Sequence, residues 1–303
     1  MVYAGQLDCY GRSHEILKKF LSVEVSEAQV YRVTDCFGAQ IGLSTADTER
    51  TLVPLQKDEK MYIETDGSMI FTREEGWKEV KVGRLFKSGD CIRNDGKPGC
   101  ITHSQYMAHL GDCKIFRGRM ENLIDAYGAK AGQLVFISDG APWIKNWVED
   151  AYPGAISILD YFHAVEHLYD FVGGHFKDQD EGKKWAKHQE GLLLDGKVDT
   201  VIKNIKRVAG DKNEAAINLI DYYKTNRERM KYNEYKKIGC GMIGSGAIES
   251  AHRTVVQKRM KQSGQRWTRK GAQNMLNLRV TYMNEKWSKI IHLAKTEFRG
   301  FAA

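Results

Sequence analysis

An α/β fold is predicted by three features of this sequence. Two apolar stretches, Met61 to Ser68 and Gln133 to Gly140, each run into an Asp-Gly step. Further β-type segments with alternating side chains lie between them. From about residue 174 to 240 the chain is charged, apolar at helical spacing, and without a convincing strand. With 303 residues the chain can bury a sizeable core. A hydrophobic content of 42%, only 4 prolines, and no apolar run near the ~18 residues of a membrane span point to a soluble, helix-rich protein and away from a membrane partner. Met1 to Tyr10 contains Asp8 and lacks the basic start and apolar centre of a signal peptide, so a cytoplasmic location is expected. The six cysteines are scattered with no C-x-x-C pair and read as reduced and structural.

Taken in order, the chain opens with two helices, Ser13 to Phe20 and Ser26 to Gly38, joined by a turn at Leu21 to Val25. Ser26 and Gln29 form a capping-box pattern, Val30, Val33 and Phe37 fall on one face, and Gly38 is expected to stop the second helix. The pair reads either as part of a helix-turn-helix, with Gln29, Tyr31 and Arg32 near the exposed face, or as a plain helical hairpin. The polar stretch from Asp47 to Lys60 serves as a linker. Tyr62, Ile63 and Thr65 then favour a strand, and the Asp66-Gly67 step permits a tight turn that frees the Asp side chain at the strand end. Phe71 and Thr72, Trp77 to Phe86, and Gln105 to Leu110 continue as β segments, giving an antiparallel meander with the Asp66 strand first. A helix over roughly Asp112 to Ala129 follows, with Phe116, Met120, Leu123 and Tyr127 at three- and four-residue steps. Next come the strand ending at Asp139, a helix over Pro142 to Asp150, a strand at Ala155 to Leu159, and a helix from Tyr161. This β-β-β-α-β-α-β-α order is the ribonuclease H-like arrangement, a mixed five-stranded sheet flanked by helices. In it the first and fourth strands are neighbours and bring their terminal acids together.

The helical reach from 174 to 240 then reads as an insertion. Four glycines within Gly239 to Gly246 mark a hinge. A helix from Ala247 to about Gln262 carries Glu249 in its first turn, Gly264 and Trp267 break it, and helices over Arg269 to Asn284 and Lys286 to Lys295 finish the chain. The organisation implied is an N-terminal helical segment over 1–46, a first core part over 60–173, the insertion over 174–240, and a second core part over 241–303.

Charge is unevenly spread. The net charge is +7, yet Ala251 to Val280 alone holds eight basic and no acidic residues, leaving 38 basic against 39 acidic elsewhere. Such a block is the electrostatic footprint of a surface that follows a phosphate backbone, and the residues expected to do so are Arg253, Lys258, Arg259, Lys261, Arg266, Arg269 and Lys270. The plain alternative is a solvated helix face, although such faces usually interleave acids. Trp267 could stack on a displaced base, but a Trp between helices is more often core.

One strand ending in Asp-Gly is usually only a turn. Two in one chain, with a third acid on a later helix, form a constellation. Asp66, Asp139 and Glu249 suit two-metal phosphodiester chemistry, in which two Mg²⁺ ions about 3.5 to 4 Å apart need hard oxygen ligands and keep positions for phosphate and water. Glu249 also has a plain explanation, since the helix dipole favours an acid in the first turn. A rival pattern lies at His163, Glu166 and His167, which spell the inverted zinc-peptidase motif H-x-x-E-H. It leaves the paired Asp-Gly strands unexplained, and Asp160 and His163 fit better as groups that support the acids or touch a substrate strand.

The sequence resembles bacterial insertion-sequence transposases of the DDE type, in the ISKra-type group related to the Mutator and hAT superfamilies. The resemblance rests on Asp66-Gly67-Ser68, Gly76 to Gly83, Asp139-Gly140-Ala141-Pro142-Trp143-Ile144, Asp160 to His167, Gly244 to Ser250, and Arg259 to Trp267. It implies a metal-dependent enzyme that cuts DNA and joins the freed 3′-hydroxyl to target DNA, with Asp66, Asp139 and Glu249 holding two Mg²⁺ ions, for which Mn²⁺ substitutes. Asp160 and His163 accompany that site as a D-x-x-H element. The implied partners are transposon ends, target DNA and further copies of the chain on DNA, and the implied location is at the nucleoid. Members of the group usually carry a longer N-terminal DNA-binding part. A protein that keeps this fold and binds DNA without completing transposition is therefore the second reading.

Overall fold

The computed structural model describes residues 1–43, 53–92 and 99–296. Its centre is a five-stranded sheet in the order β5-β2-β1-β6-β7, formed by β1 (Met61–Thr72), β2 (Gly76–Lys87), β5 (Gln105–Leu110), β6 (Leu134–Ser138) and β7 (Ile156–Leu159). Strands β3 (Cys91–Ile92) and β4 (Cys100–Ile101) form a separate small pair. β1, β2 and β5 are antiparallel, while β6 joins β1, and β7 joins β6, in parallel. This is the ribonuclease H-like α/β arrangement. Ile70, Phe71 and Thr72 before a three-residue turn at Arg73–Glu75, and Trp77, Val80 and Val82 after it, favour the antiparallel pair, which then continues in register through Asp66-Gly67.

Alternation along β1 divides the sheet into two faces. Met61 and Ile63 point to the face covered by α4 (Cys113–Asp125) and α5 (Pro142–Ala151), where Phe116, Met120, Phe136 and Trp147 are buried with them. Tyr62, Glu64, Asp66, Ser68 and Ile70 occupy the opposite face. There Tyr62, Val135 and Ile158 share one core with α6 (Tyr161–His175), α7 (Gln179–Leu194), α8 (Val198–Ala209), α9 (Glu214–Asn226) and α10 (Tyr232–Tyr235). The helical region after residue 174 thus shares the core of this sheet face. Arg229 pins them to it, donating to Ser138 Oγ at 2.7 Å and Ser157 Oγ at 3.0 Å. Farther along the same face, Ile70, Val80 and Val82 pack under the helical run that begins with α11 (Gly246–Ala251) and under α13 (Arg269–Met283). Of the N-terminal helices, α1 (Val2–Leu7) and α3 (Glu27–Leu43) lean on α13 and α14 (Ser288–Thr296) through Val2, Phe37, Leu278 and Ile290, and α2 (Tyr10–Leu21) packs on α1 and α3.

Two expectations about local structure are corrected here. Gly38 does not end α3, which runs on to Leu43. Its lack of a side chain serves close packing, since a Cβ there would lie 2.4 Å from the Asn274 carbonyl oxygen. Nor does the chain turn at Asp66-Gly67. β1 passes straight through, because Asp66 and Gly67 stay paired with Val82 and Lys81 of β2. The expected linker over Asp47 to Lys60 lies partly outside the described residues. Gln29, Tyr31 and Arg32 are exposed on α3, and Tyr31 meets the Tyr10 ring edge-on at 5.4 Å. Among the described residues no helix is long and apolar enough to cross a membrane.

Candidate active site

Three parallel strands deliver acids to the same edge of the sheet, the carboxyl end where α/β sheets bind ligands. The parallel pairing of β1 with β6 stops at Glu64 opposite Ile137, so Asp66 stands just past it. β6 ends at Ser138, and Gly140, with φ +95°, lets the chain leave sharply after Asp139. Asp139 then accepts from the Ala141 N–H at 3.0 Å, and the Tyr222 hydroxyl holds its backbone carbonyl at 2.9 Å. β7 ends before Asp160, which caps α6 by accepting from the Phe162 N–H at 2.8 Å. From the other side α11 brings Glu249. Asp66, Asp139, Asp160, His163 and Glu249 all line one cavity of about 500 Å³.

The loop before α11 must pass close to α6 to make this cavity. A Cβ on Gly244 would sit 2.4 Å from the Phe162 ring, which explains a glycine there. Ser245 occupies the N-cap of α11 without capping it, and its hydroxyl instead donates to Asp160. The helix continues from α11 through a π-helical stretch, His252–Gln257, into α12 (Lys258–Met260). Such wide turns recur at functional sites. This one buries His252 with Nε2 3.3 Å from Asp66 Oδ2, close but not aligned as a full hydrogen bond.

Charge in the site is set by burial against partners. Burial pushes the Asp66 carboxyl up, yet His252, the Gly67 N–H at 2.6 Å and His163 together bring it below the usual carboxylate range. Glu64, two residues earlier on the same face, is wholly buried and is pushed up to about 8 by that burial. The H-x-x-E-H residues are engaged with one another. His163 Nδ1 lies 3.3 Å from Glu166, and the His167 ring stands 4.6 Å from both His163 and Tyr222. Burial, and then His163, lower the His167 pKa. Among the described residues no three His, Cys, Asp or Glu side chains are oriented as a ready-made metal shell.

The basic stretch divides in two. Arg253, Lys258, Lys261, Arg266, Arg269 and Lys270 are exposed, with Lys261 donating to Ser68 Oγ at 2.6 Å and Arg269 paired with Glu75 at 2.7 Å. Arg259 is not available to follow phosphates, which corrects its expected place among the DNA-binding residues, and Trp267 is not placed to stack on a base but is core, as a Trp between helices more often is. Arg259 is 1% exposed, its guanidinium held between the Tyr10 and Trp267 rings and its Nε donating to the Gly5 carbonyl at 2.9 Å. Trp267 is buried and donates to the Met260 carbonyl at 3.0 Å.

The profile of one protein family matches residues 5–296 of this chain. The chain belongs to UPF0236. That family is described as an uncharacterised protein family. A relative from Streptococcus gallolyticus, called "UPF0236 protein in vanSb 3'region", is 25% identical over 259 residues. The match takes in 82% of this chain and 55% of the relative, so the chain spans about half the relative's length.

Sequence reading missed several residues around the cavity of this UPF0236 chain. Glu64 left a signal, being a lone carboxylate on the buried face of an apolar strand at a two-residue step from Asp66. His252 also left one, since it follows Glu249 by three residues and so shares its side of a helix. Arg84, Ser245 and Tyr222 left none, because only the tertiary fold brings them to the acids.

Proposed function

We propose that this chain carries the catalytic core of a DDE-type transposase, cutting a DNA strand and transferring the freed 3′-hydroxyl to target DNA. One observation carries the reading. Asp66, Asp139 and Glu249, which arrive on three separate elements, line one cavity at the carboxyl end of the parallel strands of a ribonuclease H-like sheet. The donor set fits a hard divalent cation, since carboxylate oxygens dominate the lining and no thiol is present. Asp66, Asp139 and Glu249 would hold two Mg²⁺ ions, which when bound supply an activated water and stabilise the leaving oxygen.

The remaining work falls to the chain's own groups. The surroundings of Asp66 keep its carboxyl ionised, as an oxygen ligand must be. Asp160 is committed to the start of α6 and to Ser245, so its place is to fix the cavity wall. Lys261 stands beside β1 two residues past Asp66, and with Lys258, Arg253 and Arg266 it offers positive charge along the approach to Glu249.

The test is cleavage of a labelled duplex carrying the DNA that flanks the gene, with Mg²⁺, Mn²⁺ or EDTA. Nicks at a fixed position that need the metal, followed by joining to a second duplex, are the expected result. Binding of that duplex with no metal-dependent nick would overturn the catalytic reading and leave a DNA-binding protein that keeps the fold. Stoichiometric zinc in the purified protein, lost on replacing His163 or His167, would instead favour peptidase chemistry.

A further inference from the structure

The helix bearing Glu249 is held at its first turn by a strand nearly two hundred residues earlier. An N-cap side chain ordinarily accepts from the N–H of the second or third helical residue. Ser245 is the N-cap of α11, but its hydroxyl is turned to Asp160. The N–H of Ile248, which also leans on the Ser245 carbonyl at 3.0 Å, meets Glu64 Oε2 at 2.7 Å. The cap thus comes from β1. Directly across the sheet Arg84 is the register partner of Glu64, and its Nη1 donates to the Ala247 carbonyl at 2.9 Å. A buried acceptor and a buried donor on neighbouring strands therefore grip the two ends of a single peptide group, the Ala247–Ile248 unit just before Glu249. Glu64 sits on the same face of β1 as Asp66, so the grip refers Glu249 to the strand that carries its counterpart.

We propose that Glu64 is a positioning residue for the cleavage site, fixing the height and rotation of α11 so that Glu249 faces Asp66, with Arg84 as its partner. This rests on the transposase reading. A buried carboxyl group with one oxygen unpartnered is costly to keep, and Glu64 Oε1 has no hydrogen-bond partner. An apolar side chain would fill the same space at less cost, which a purely space-filling role would favour.

The experiment compares Glu64→Gln, which keeps a neutral acceptor at the same reach, with Glu64→Leu, which removes it. A third variant, Glu64→Asp, draws the acceptor back by one methylene and serves if the Leu variant does not fold. Three quantities are read on the whole chain: turnover on the labelled duplex, Mn²⁺ affinity by calorimetry, and amide exchange at the start of α11. Misplacement of a reacting group by about 1 Å costs on the order of a hundredfold in rate. Glu64→Leu and Glu64→Asp are expected to lose about that factor in turnover. They should also weaken Mn²⁺ binding and speed exchange of the Ile248 amide, with duplex affinity unchanged. Glu64→Gln should keep all three close to the parent chain. Equal behaviour of Gln and Leu variants, whether both active or both inactive, would overturn the proposal. A parent chain that neither binds Mn²⁺ nor nicks DNA would instead bring down the transposase reading on which it stands.

Discussion

The two Asp-Gly steps of this chain share a dipeptide and little else. At Asp66-Gly67 the strand runs straight through, and a Cβ on Gly67 would meet only the carboxylate end of Glu79, 2.0 Å away on a flexible side chain. At Asp139-Gly140 the strand stops, Gly140 takes φ +95°, and its missing side chain leaves room for Leu159 and the Tyr222 ring. The neighbour decides which occurs. β2 continues to pair with β1 beyond Asp66, whereas β6 lies between two parallel strands whose ladders with it end one residue apart, at Ile137 and Ser138. Asp66 reaches the cavity as a side chain on a sheet face, Asp139 as the residue after a strand, and their equivalence is chemical, not conformational.

The largest expected effect tests that chemical equivalence. Asp66→Asn and Asp139→Asn should each lower metal-dependent cleavage by at least about a thousandfold, or roughly 4 kcal/mol of barrier, with DNA affinity largely kept. Loss at only one position would show that the two acids are not a pair. The glycines should separate instead. Gly140→Ala places a side chain in a left-handed backbone and is expected to cost about 2 kcal/mol in urea unfolding, whereas Gly67→Ala should cost well under ~1 kcal/mol because Glu79 can swing aside. Equal losses would mean that Gly67 is held by more than its strand. Smaller again is Tyr222→Phe, which removes the hydrogen bond to the Asp139 carbonyl and should cost about 1 kcal/mol with no counterpart on the Asp66 side. An unchanged midpoint would leave the helical region after 174 with no hold on Asp139. The smallest per-residue effect concerns the cations that gather on the Asp66 side. Replacing Lys258, Lys261 and Arg266 together with Ala should flatten the slope of log affinity against log salt by about 2 to 3 units, each neutralised phosphate contributing roughly 0.9. Arg259→Ala should leave that slope alone and lower stability, and a changed slope there would mean that its burial is relieved on DNA.

Much of the sheet was readable from residues alone. Runs such as Leu134 to Ile137 leave few choices but a buried strand, and the four- and three-residue steps of Phe116, Met120 and Leu123 mark a helix face. Their order along the chain then names the neighbours. What escaped were facts about partners. Whether β1 stops at Gly67 depends on β2, and whether Gly38 ends a helix depends on Asn274, more than two hundred residues away. Arg259 read as a surface cation because its companions Lys258 and Lys261 are, while its burial needs Tyr10 from the first helices. Of the cavity residues, Asp66 and Asp139 were legible from strand grammar, and Glu249 from its place in the first turn of a helix. The three-residue step from Glu249 put His252 on the same side of the helix, but a regular helix gives no sign of the π-helical stretch that buries it.

The hydrogen bond from Ile248 to Glu64 closes a loop of 184 residues. Contacts so distant in sequence are made late, because the entropy of closing the loop must be met before they stabilise anything. A nascent chain that has emerged through Leu194 already holds both aspartates and the whole sheet, yet has no Glu249 to complete the set. On the transposase reading, competence to cut would then wait for the residues around Glu249, so that synthesis itself delays the arming of the site until well after both aspartates and the sheet have emerged.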